Sequence, residues 1–276
     1  MSILYVTSFN KKLFRVSGYN MVHSFLDTDT EGDFLVTYED DIFKDLPKSD
    51  KLIYHNLDED EFLQNWLQDN SDIIPIEYGG TYPECTQCRN PKDRWHGHLP
   101  DCLNGGWHAR VGQWFRKIAA LNEALKYEEK YDVIIFADCD IDFLKKIPEK
   151  YVCDIAKGYG SFYHLGLNRL KQNMGIESGF IGFNKNGRGY ELLKRVIDSY
   201  ATKDFRRFER RDDGYVFREI FGESTDINKK DLVYQDMNWH DVTSRPNVKG
   251  DLNVVDKGMF AKYISHRKGM HDQWVI

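Results

Sequence analysis

The feature that most constrains the fold is a short, uninterrupted apolar segment near the middle of the chain. Residues Val133 to Ala137 form the longest purely apolar run in the sequence. A strand without alternating polar residues is typical of a parallel sheet that helices cover on both faces. A membrane-spanning helix needs roughly 20 apolar residues, so the run is too short to span a bilayer. The sequence therefore predicts a buried central strand of an α/β protein with no membrane span.

A long amphipathic helix is predicted directly before this strand, over residues 110–128. Its buried face follows from apolar side chains at helical spacing: Val111, Trp114, Phe115, Ile118, Leu121 and Leu125. Arg110, Gln113 and Lys117 follow one another at helical spacing and predict a polar row along the edge of that face. Arg116 is expected to point towards solvent.

Further strands are predicted over residues 3–7, 33–38 and 51–55, with a helical segment over 16–25. Strands alternating with helices predict βαβ units within one domain that spans residues 1–276. Aromatic residues make up 14% of the chain, which excludes a disordered protein. The formal net charge of −6 does not favour nucleic acid as a general partner. The first residues lack a basic, apolar leader, so a cytoplasmic location is expected.

Two aspartates follow the central strand directly, in the sequence Asp138-Cys139-Asp140. Ligands of open α/β sheets bind outside the carboxyl ends of the strands. Carboxylates at this position suit Mg²⁺ or Mn²⁺, which in turn bind phosphate oxygens. A polar strand exit that caps the next turn is the alternative. Nucleotide motifs of the G-x-G-x-x-G and P-loop types are absent, which disfavours dehydrogenases and kinases.

Four segments together carry a resemblance to a known family. They are residues 117–121, 131–144 with the two aspartates, 177–184 (Glu-Ser-Gly-Phe-Ile-Gly-Phe-Asn) and 265–269 (Ser-His-Arg-Lys-Gly). This series resembles the core of GT-A-fold glycosyltransferases, closest to the glycogenin-like pattern of a helix lysine, a strand and D-x-D. The last segment is only a compressed analogue of the family's longer C-terminal pattern, so either His266 or His271 is the expected histidine ligand.

The resemblance implies a GT-A fold, a mostly parallel sheet flanked by helices, and a glycosyltransferase. Such an enzyme moves a hexose or pentose from a nucleotide-sugar, with a UDP-sugar expected here, to an acceptor hydroxyl with Mn²⁺ or Mg²⁺. Asp140 and His266 are the implied metal ligands, and Asp138 binds the metal or the donor ribose. The implied donor-site residues are Thr7, Phe9, Arg110, Lys117 and Lys268. Cations at these positions would offset the charge that develops on the leaving diphosphate.

Two alternative roles remain for four residues, two of the donor site and two carboxylates. Thr7 and Phe9 either seat the nucleotide base or pack the N-terminal strand. Asp213 is the first candidate for a general base and Glu177 the second. Asp213 alternatively caps the helix predicted over residues 215–221, and Glu177 is alternatively held by a hydrogen bond next to the core.

A segment rich in cysteine and histidine, residues 79–106, is expected to be an insertion. It has the ligand types of a structural zinc site, which are Cys85, Cys88, His96, His98 and Cys102. A disulfide is the competing interpretation, disfavoured in a cytoplasmic protein. Cys139 and Cys153 are expected to be reduced and near the core.

Two other functions compete with sugar transfer. One is a nucleotidyltransferase, which also uses acidic residues and a metal; the other is a non-catalytic nucleotide- or carbohydrate-binding module. The acceptor is expected to be a glycan, a protein or a modified nucleic acid. The aromatic and basic residues 205–211 are a candidate acceptor contact, with an exposed helix face as the alternative explanation.

Overall fold

A computed structural model describes residues 1–74, 111–171, 173–233 and 254–267. Its strands are β1 (Ile3–Phe9), β2 (Asp33–Tyr38), β3 (Leu52–Asn56), β4 (Val133–Ala137), β5 (Ile141–Phe143), β6 (Ser161–His164), β7 (Glu177–Asn184), β8 (Lys229–Asp231) and β9 (Ile264–His266). Its α-helices are α1 (Lys11–Leu13), α2 (Tyr19–Asp27), α3 (Glu61–Asp69), α4 (Val111–Leu125), α5 (Glu149–Ala156), α6 (Gly166–Lys171), α7 (Gly189–Ala201) and α8 (Asp213–Glu223).

Seven of these strands form one mixed sheet in the order β3-β2-β1-β4-β7-β6-β8. Pairs β3–β2, β2–β1 and β1–β4 are parallel, as is β6–β8. Strand β7 runs antiparallel to both of its neighbours, β4 and β6. A second, two-stranded sheet joins β5 to β9. The expected α/β architecture, a mostly parallel sheet flanked by helices, is confirmed.

The apolar run that predicted this sheet lies at its centre, and every residue of β4 is buried. Ile134 and Phe136 belong to the core on the α4 side, while Val133, Ile135 and Ala137 belong to the core on the α2 side. Helices therefore cover both faces of the strand, which explains why its sequence does not alternate.

Aromatic side chains fill both layers of the core. On the α4 side the Trp66 and Phe115 rings stack with their centroids 3.8 Å apart. On the α2 side Phe25 contacts Tyr5 and Phe143 edge-to-face. Burying side chains of this size contributes about 1.5–3 kcal/mol each before conformational entropy is subtracted. This packing fixes β1 and β4 as a rigid base for the loops that follow them.

The predicted segments mostly match, with differences at their ends. The helical segment expected over residues 16–25 begins earlier, with α1, and continues through a π-helical turn, Phe14–Gly18, into α2. Gly18 lies against Phe9 at this turn, and a Cβ on it would come within 2.9 Å of the ring. The helix predicted over 110–128 is observed as α4, and Arg110 lies outside the described residues.

The predicted polar row on α4 is wrong. Gln113 is exposed, but Lys117 is 7% exposed and belongs to the buried face. Arg116, expected in solvent, is half-buried and places its Nε 2.7 Å from a carboxylate oxygen of Glu39. Both cations have carboxylate partners from distant parts of the chain, and hydrophobic spacing alone does not show such partners.

The two cysteines within the described residues agree with the expectation. Cys139 is buried, Cys153 is half-buried, and both are free thiols. The Cys/His-rich segment 79–106 lies outside the described residues, so its zinc site stays a prediction. Among the helices that the structure describes, none has the length and apolar character needed to cross a bilayer.

Candidate active site

Three predicted metal ligands meet at the carboxyl end of β4. Asp138 and Asp140 follow that strand, and pairing of β5 with β9 places His266 opposite Ile141. The His266 Nε2 lies 3.0 Å from Oδ1 of Asp140. One ligand atom from each of Asp138, Asp140 and His266 lies within 4.8 Å of the others. The structure thus brings together residues more than a hundred positions apart in the chain, as predicted; His271 lies outside the described residues.

Gly179 of β7 lies directly against Asp138 and His266. Its carbonyl oxygen accepts a hydrogen bond of 2.8 Å from the Asp138 backbone N–H. A Cβ on Gly179 would lie 2.8 Å from Asp138 Oδ2, 2.8 Å from His266 Cε1 and 3.2 Å from Glu177 Oε1. Any side chain here would therefore occupy the space between the three functional groups.

Lys117 of α4 contacts one of these metal-ligand candidates, Asp138. Its Nζ lies 3.1 Å from Asp138 Oδ1 and 2.5 Å from Asp213 Oδ2. It also donates to the hydroxyl and the carbonyl oxygen of Ser178, at 2.9 and 3.1 Å. The Ser178 hydroxyl in turn donates to Asp213 Oδ2 at 2.6 Å. Proximity to two carboxylates outweighs the opposing effect of burial and raises the pKa of Lys117.

Asp213 reaches this position because two glycines let α8 approach β7. The Ile176 N–H donates to the Gly214 carbonyl oxygen at 3.0 Å, and a Cβ on Gly175 would lie 2.2 Å from the Gly214 backbone. The helix cap is Asp212, which accepts from the Tyr215 N–H, and not Asp213. The capping alternative therefore applies to the neighbouring residue, and Asp213 faces Lys117.

Glu177, the second candidate base, is 4% exposed at the start of β7. Arg169 of α6 donates to its carboxylate at 3.0 Å and also binds the carbonyl oxygens of Gly175 and Ile176. The guanidinium therefore fixes both the side chain and the backbone that leads into β7. Glu177 and Asp213 are placed beside the metal-ligand trio, and their catalytic roles stay predictions.

The carboxylates of the trio attract positive charge. Burial opposes protonation of His266, but the neighbouring Asp140 carboxylate outweighs it and raises the pKa of the ring. Two carboxylates and one imidazole form a donor set that suits Mn²⁺, and Mg²⁺ through the oxygens. The residues present therefore fit the divalent metal that the resemblance implies.

A second group of possible ligands, His55, Asp60 and Glu123, has an ordinary structural explanation. Asp60 caps α3 by accepting from the Leu63 N–H at 2.7 Å, and it binds His55 Nε2 at 2.9 Å. Glu123 forms an ion pair with Lys126 at 2.5 Å. These contacts tie β3, α3 and α4 together without an ion.

The predicted base-binding residues are buried in the sheet. Thr7 is 0% exposed, and Phe9 is 2% exposed with its ring packed on Phe14. Both side chains therefore show the sheet-packing alternative, and stacking of Phe9 on a base is not possible in this conformation. Arg110 and Lys268 lie outside the described residues.

The basic run 205–211 is largely occupied within the fold. Phe205 is fully buried. Arg206 pairs with Asp72, Arg207 with Asp204 and Glu223, and Arg210 with Asp212. Ion pairs within the protein explain most of this run, and its role as an acceptor contact stays a prediction.

Three residues of the site were not singled out from the sequence: Ser178, Gly179 and Arg169. Glycine at 179, directly after a polar pair and within an apolar strand, is a signal of close approach. Ser178 and Arg169 carry no such signal, because their role depends on partners brought in by the fold.

Comparisons with known proteins find a distant structural likeness and no relative by sequence. No family model matches the chain, and no curated protein matches it. Among solved structures, the chain is similar to mouse xyloside xylosyltransferase 1 in its apo form, at 12% identity and a TM-score of 0.47. The alignment covers 100% of this chain and 99% of that chain. A likeness this distant assigns no activity, so any function has to be argued from the site.

Proposed function

We propose that this protein is a metal-dependent glycosyltransferase that moves a sugar from a nucleotide-sugar to an acceptor hydroxyl. The observation that carries the proposal is the convergence of Asp138, Asp140 and His266 within 4.8 Å at the carboxyl end of the central strand. This end is where α/β sheets bind nucleotides. The residues come from the D-x-D segment and the C-terminal segment, the two segments in which the resemblance implies metal ligands.

Asp138, Asp140 and His266 would hold Mn²⁺ or Mg²⁺. Such an ion, when bound, supplies positive charge to the leaving diphosphate. Gly179 lets Asp138 and His266 lie close to β7, because a Cβ at this position would crowd both side chains. Glu177 and Asp213 are carboxylates near these ligands, and we retain Asp213 as the first candidate to accept the acceptor's proton and Glu177 as the second. Lys268 remains our candidate for a direct diphosphate contact.

A donor screen tests this proposal. Purified protein is incubated with a panel of nucleotide-sugars, UDP-sugars first, with Mn²⁺ or with EDTA, and released nucleoside diphosphate is measured. Slow release of nucleoside diphosphate and free sugar, dependent on Mn²⁺ and lost in Asp140→Asn, is the expected result. Pyrophosphate release from a nucleoside triphosphate and a sugar phosphate would instead indicate a nucleotidyltransferase. Tight nucleotide binding without turnover would indicate a binding module.

We also propose, on sequence grounds alone, a separate structural zinc bound by Cys85, Cys88, Cys102 and one of His96 or His98. Elemental analysis after mild chelation should find about one zinc per chain, as a single four-ligand site holds. A protein without zinc, with a disulfide among these cysteines, would refute this site and leave the donor site untouched.

A further inference from the structure

Lys117 has no free donor in this structure with which to bind a phosphate. An ammonium group carries three N–H donors. Four oxygen atoms surround this one: one each from Asp138 and Asp213, and two from Ser178. The side chain is 9% exposed, and its Nζ also lies 4.8 Å from the centre of the Phe136 ring. The lysine is therefore saturated and enclosed by the protein itself.

The two carboxylate oxygens of Asp138 face different partners. Oδ1 faces Lys117, and Oδ2 lies on the side of Gly179 and His266. A carboxylate turns freely about its terminal bond unless a partner holds it. The ammonium holds this one, so Oδ2 stays directed at the ligand position.

The same ammonium holds Asp213, with help from Ser178. Asp213 belongs to α8 and Asp138 follows β4, so a single nitrogen links two elements that are separate in the chain. Moving Lys117 towards a diphosphate would withdraw the cation from two carboxylates, and the side chain of one of them, Asp213, is only 9% exposed. That exchange is unfavourable because a buried charge that loses its partner is costly.

We propose that Lys117 is a positioning residue, which fixes the carboxylates of Asp138 and Asp213 for sugar transfer and does not bind the donor diphosphate. This inference rests on the proposed function, and it replaces the diphosphate role that the sequence suggested for this lysine.

The test separates nucleotide binding from turnover in Lys117→Met. Lys126→Met is the matched control, because Lys126 lies next after Lys117 among the lysines of the α4 region and its side chain is 63% exposed. The Kd of UDP is measured by calorimetry at saturating Mn²⁺, and kcat with the donor that the screen identifies. For Lys117→Met we expect a UDP Kd within about threefold of wild type and a kcat lower by about 100-fold, since misplaced catalytic groups cost rate and not ground-state binding.

A UDP Kd weakened tenfold or more, or an unchanged kcat, would overturn the proposal. If Lys117→Met does not fold, the double variant Lys117→Met/Asp213→Asn removes one charge of each sign and is compared with Asp213→Asn alone. Equal UDP affinities of these two variants are expected, and a tenfold weaker affinity of the double variant would assign Lys117 to the diphosphate. Failure of the proposed function looks different, because wild-type protein would then bind no UDP with Mn²⁺ and turn over no donor.

Discussion

Gly179→Ala is the substitution that addresses the geometry of the candidate site most sharply. The new Cβ would lie 2.8 Å from Asp138 Oδ2 and from His266 Cε1, where ordinary contacts begin at 3.4 Å. Each group must therefore move by about 0.6 Å, whereas metal–ligand distances tolerate about 0.2 Å. We expect Mn²⁺ affinity to fall by about 10–100-fold, the range seen when ligand orientation is disturbed.

Gly222→Ala is the matched control, since a Cβ at Gly222 in α8 meets nothing within 4 Å. It should leave Mn²⁺ affinity unchanged and stabilise the helix by roughly 0.5–1 kcal/mol. Mn²⁺ binding is measured by calorimetry or by the loss of the free-ion electron paramagnetic resonance signal, with circular dichroism to show that both variants fold. A folded Gly179→Ala protein that binds Mn²⁺ as tightly as wild type would refute the roles of Asp138 and His266 as metal ligands in this geometry.

Three further predictions concern a ligand, the segment that carries His266, and a buried histidine. Asp140→Asn should abolish Mn²⁺-dependent donor turnover while thermal unfolding stays close to wild type; full turnover in the folded variant would contradict the mechanism. Phe260 is fully buried against Phe180, so Phe260→Ala should lower the free energy of unfolding by about 3–5 kcal/mol and also weaken Mn²⁺ binding. Denaturant unfolding measures the first effect, and a loss below about 1 kcal/mol would show that this packing is not needed. Burial lowers the pKa of His164 from 6.5 to about 4. The unfolded chain then takes up a proton between these pH values that the folded chain does not, so stability should fall by about 3 kcal/mol as the pH drops from 6.5 to 4, and His164→Gln should remove that slope.

Sequence patterns predicted the parts of this molecule that depend on local order. The apolar run of β4 specified a strand with both faces covered, and the observed core divides its side chains between two layers. Asp138 and Asp140 follow the apolar run directly in the sequence, so their position at the carboxyl end of β4 was predictable. His266 was placed by resemblance, and β5–β9 pairing supplies the physical reason for its position.

The failures involve contacts that hydrophobic spacing does not show. Hydrophobic spacing predicted that Lys117 lies at the edge of the buried face of α4. Spacing cannot show that the folded chain places the carboxylates of Asp138 and Asp213 next to this lysine. Phe9 was a candidate for base stacking, yet the π-helical turn brings Phe14 onto its ring. Helix capping was the alternative role for Asp213, and the neighbouring Asp212 performs it, a one-residue difference that local sequence does not resolve.

The most direct test of the central claim is the position of the metal itself. A crystal grown with Mn²⁺ and UDP is measured near the manganese absorption edge, where anomalous scattering identifies the ion. We predict one strong peak between Asp138, Asp140 and His266, with the diphosphate of UDP bound to it. UDP bound with no peak at these three residues, or a manganese peak elsewhere, would contradict the claim that they form the metal centre of a nucleotide-sugar enzyme.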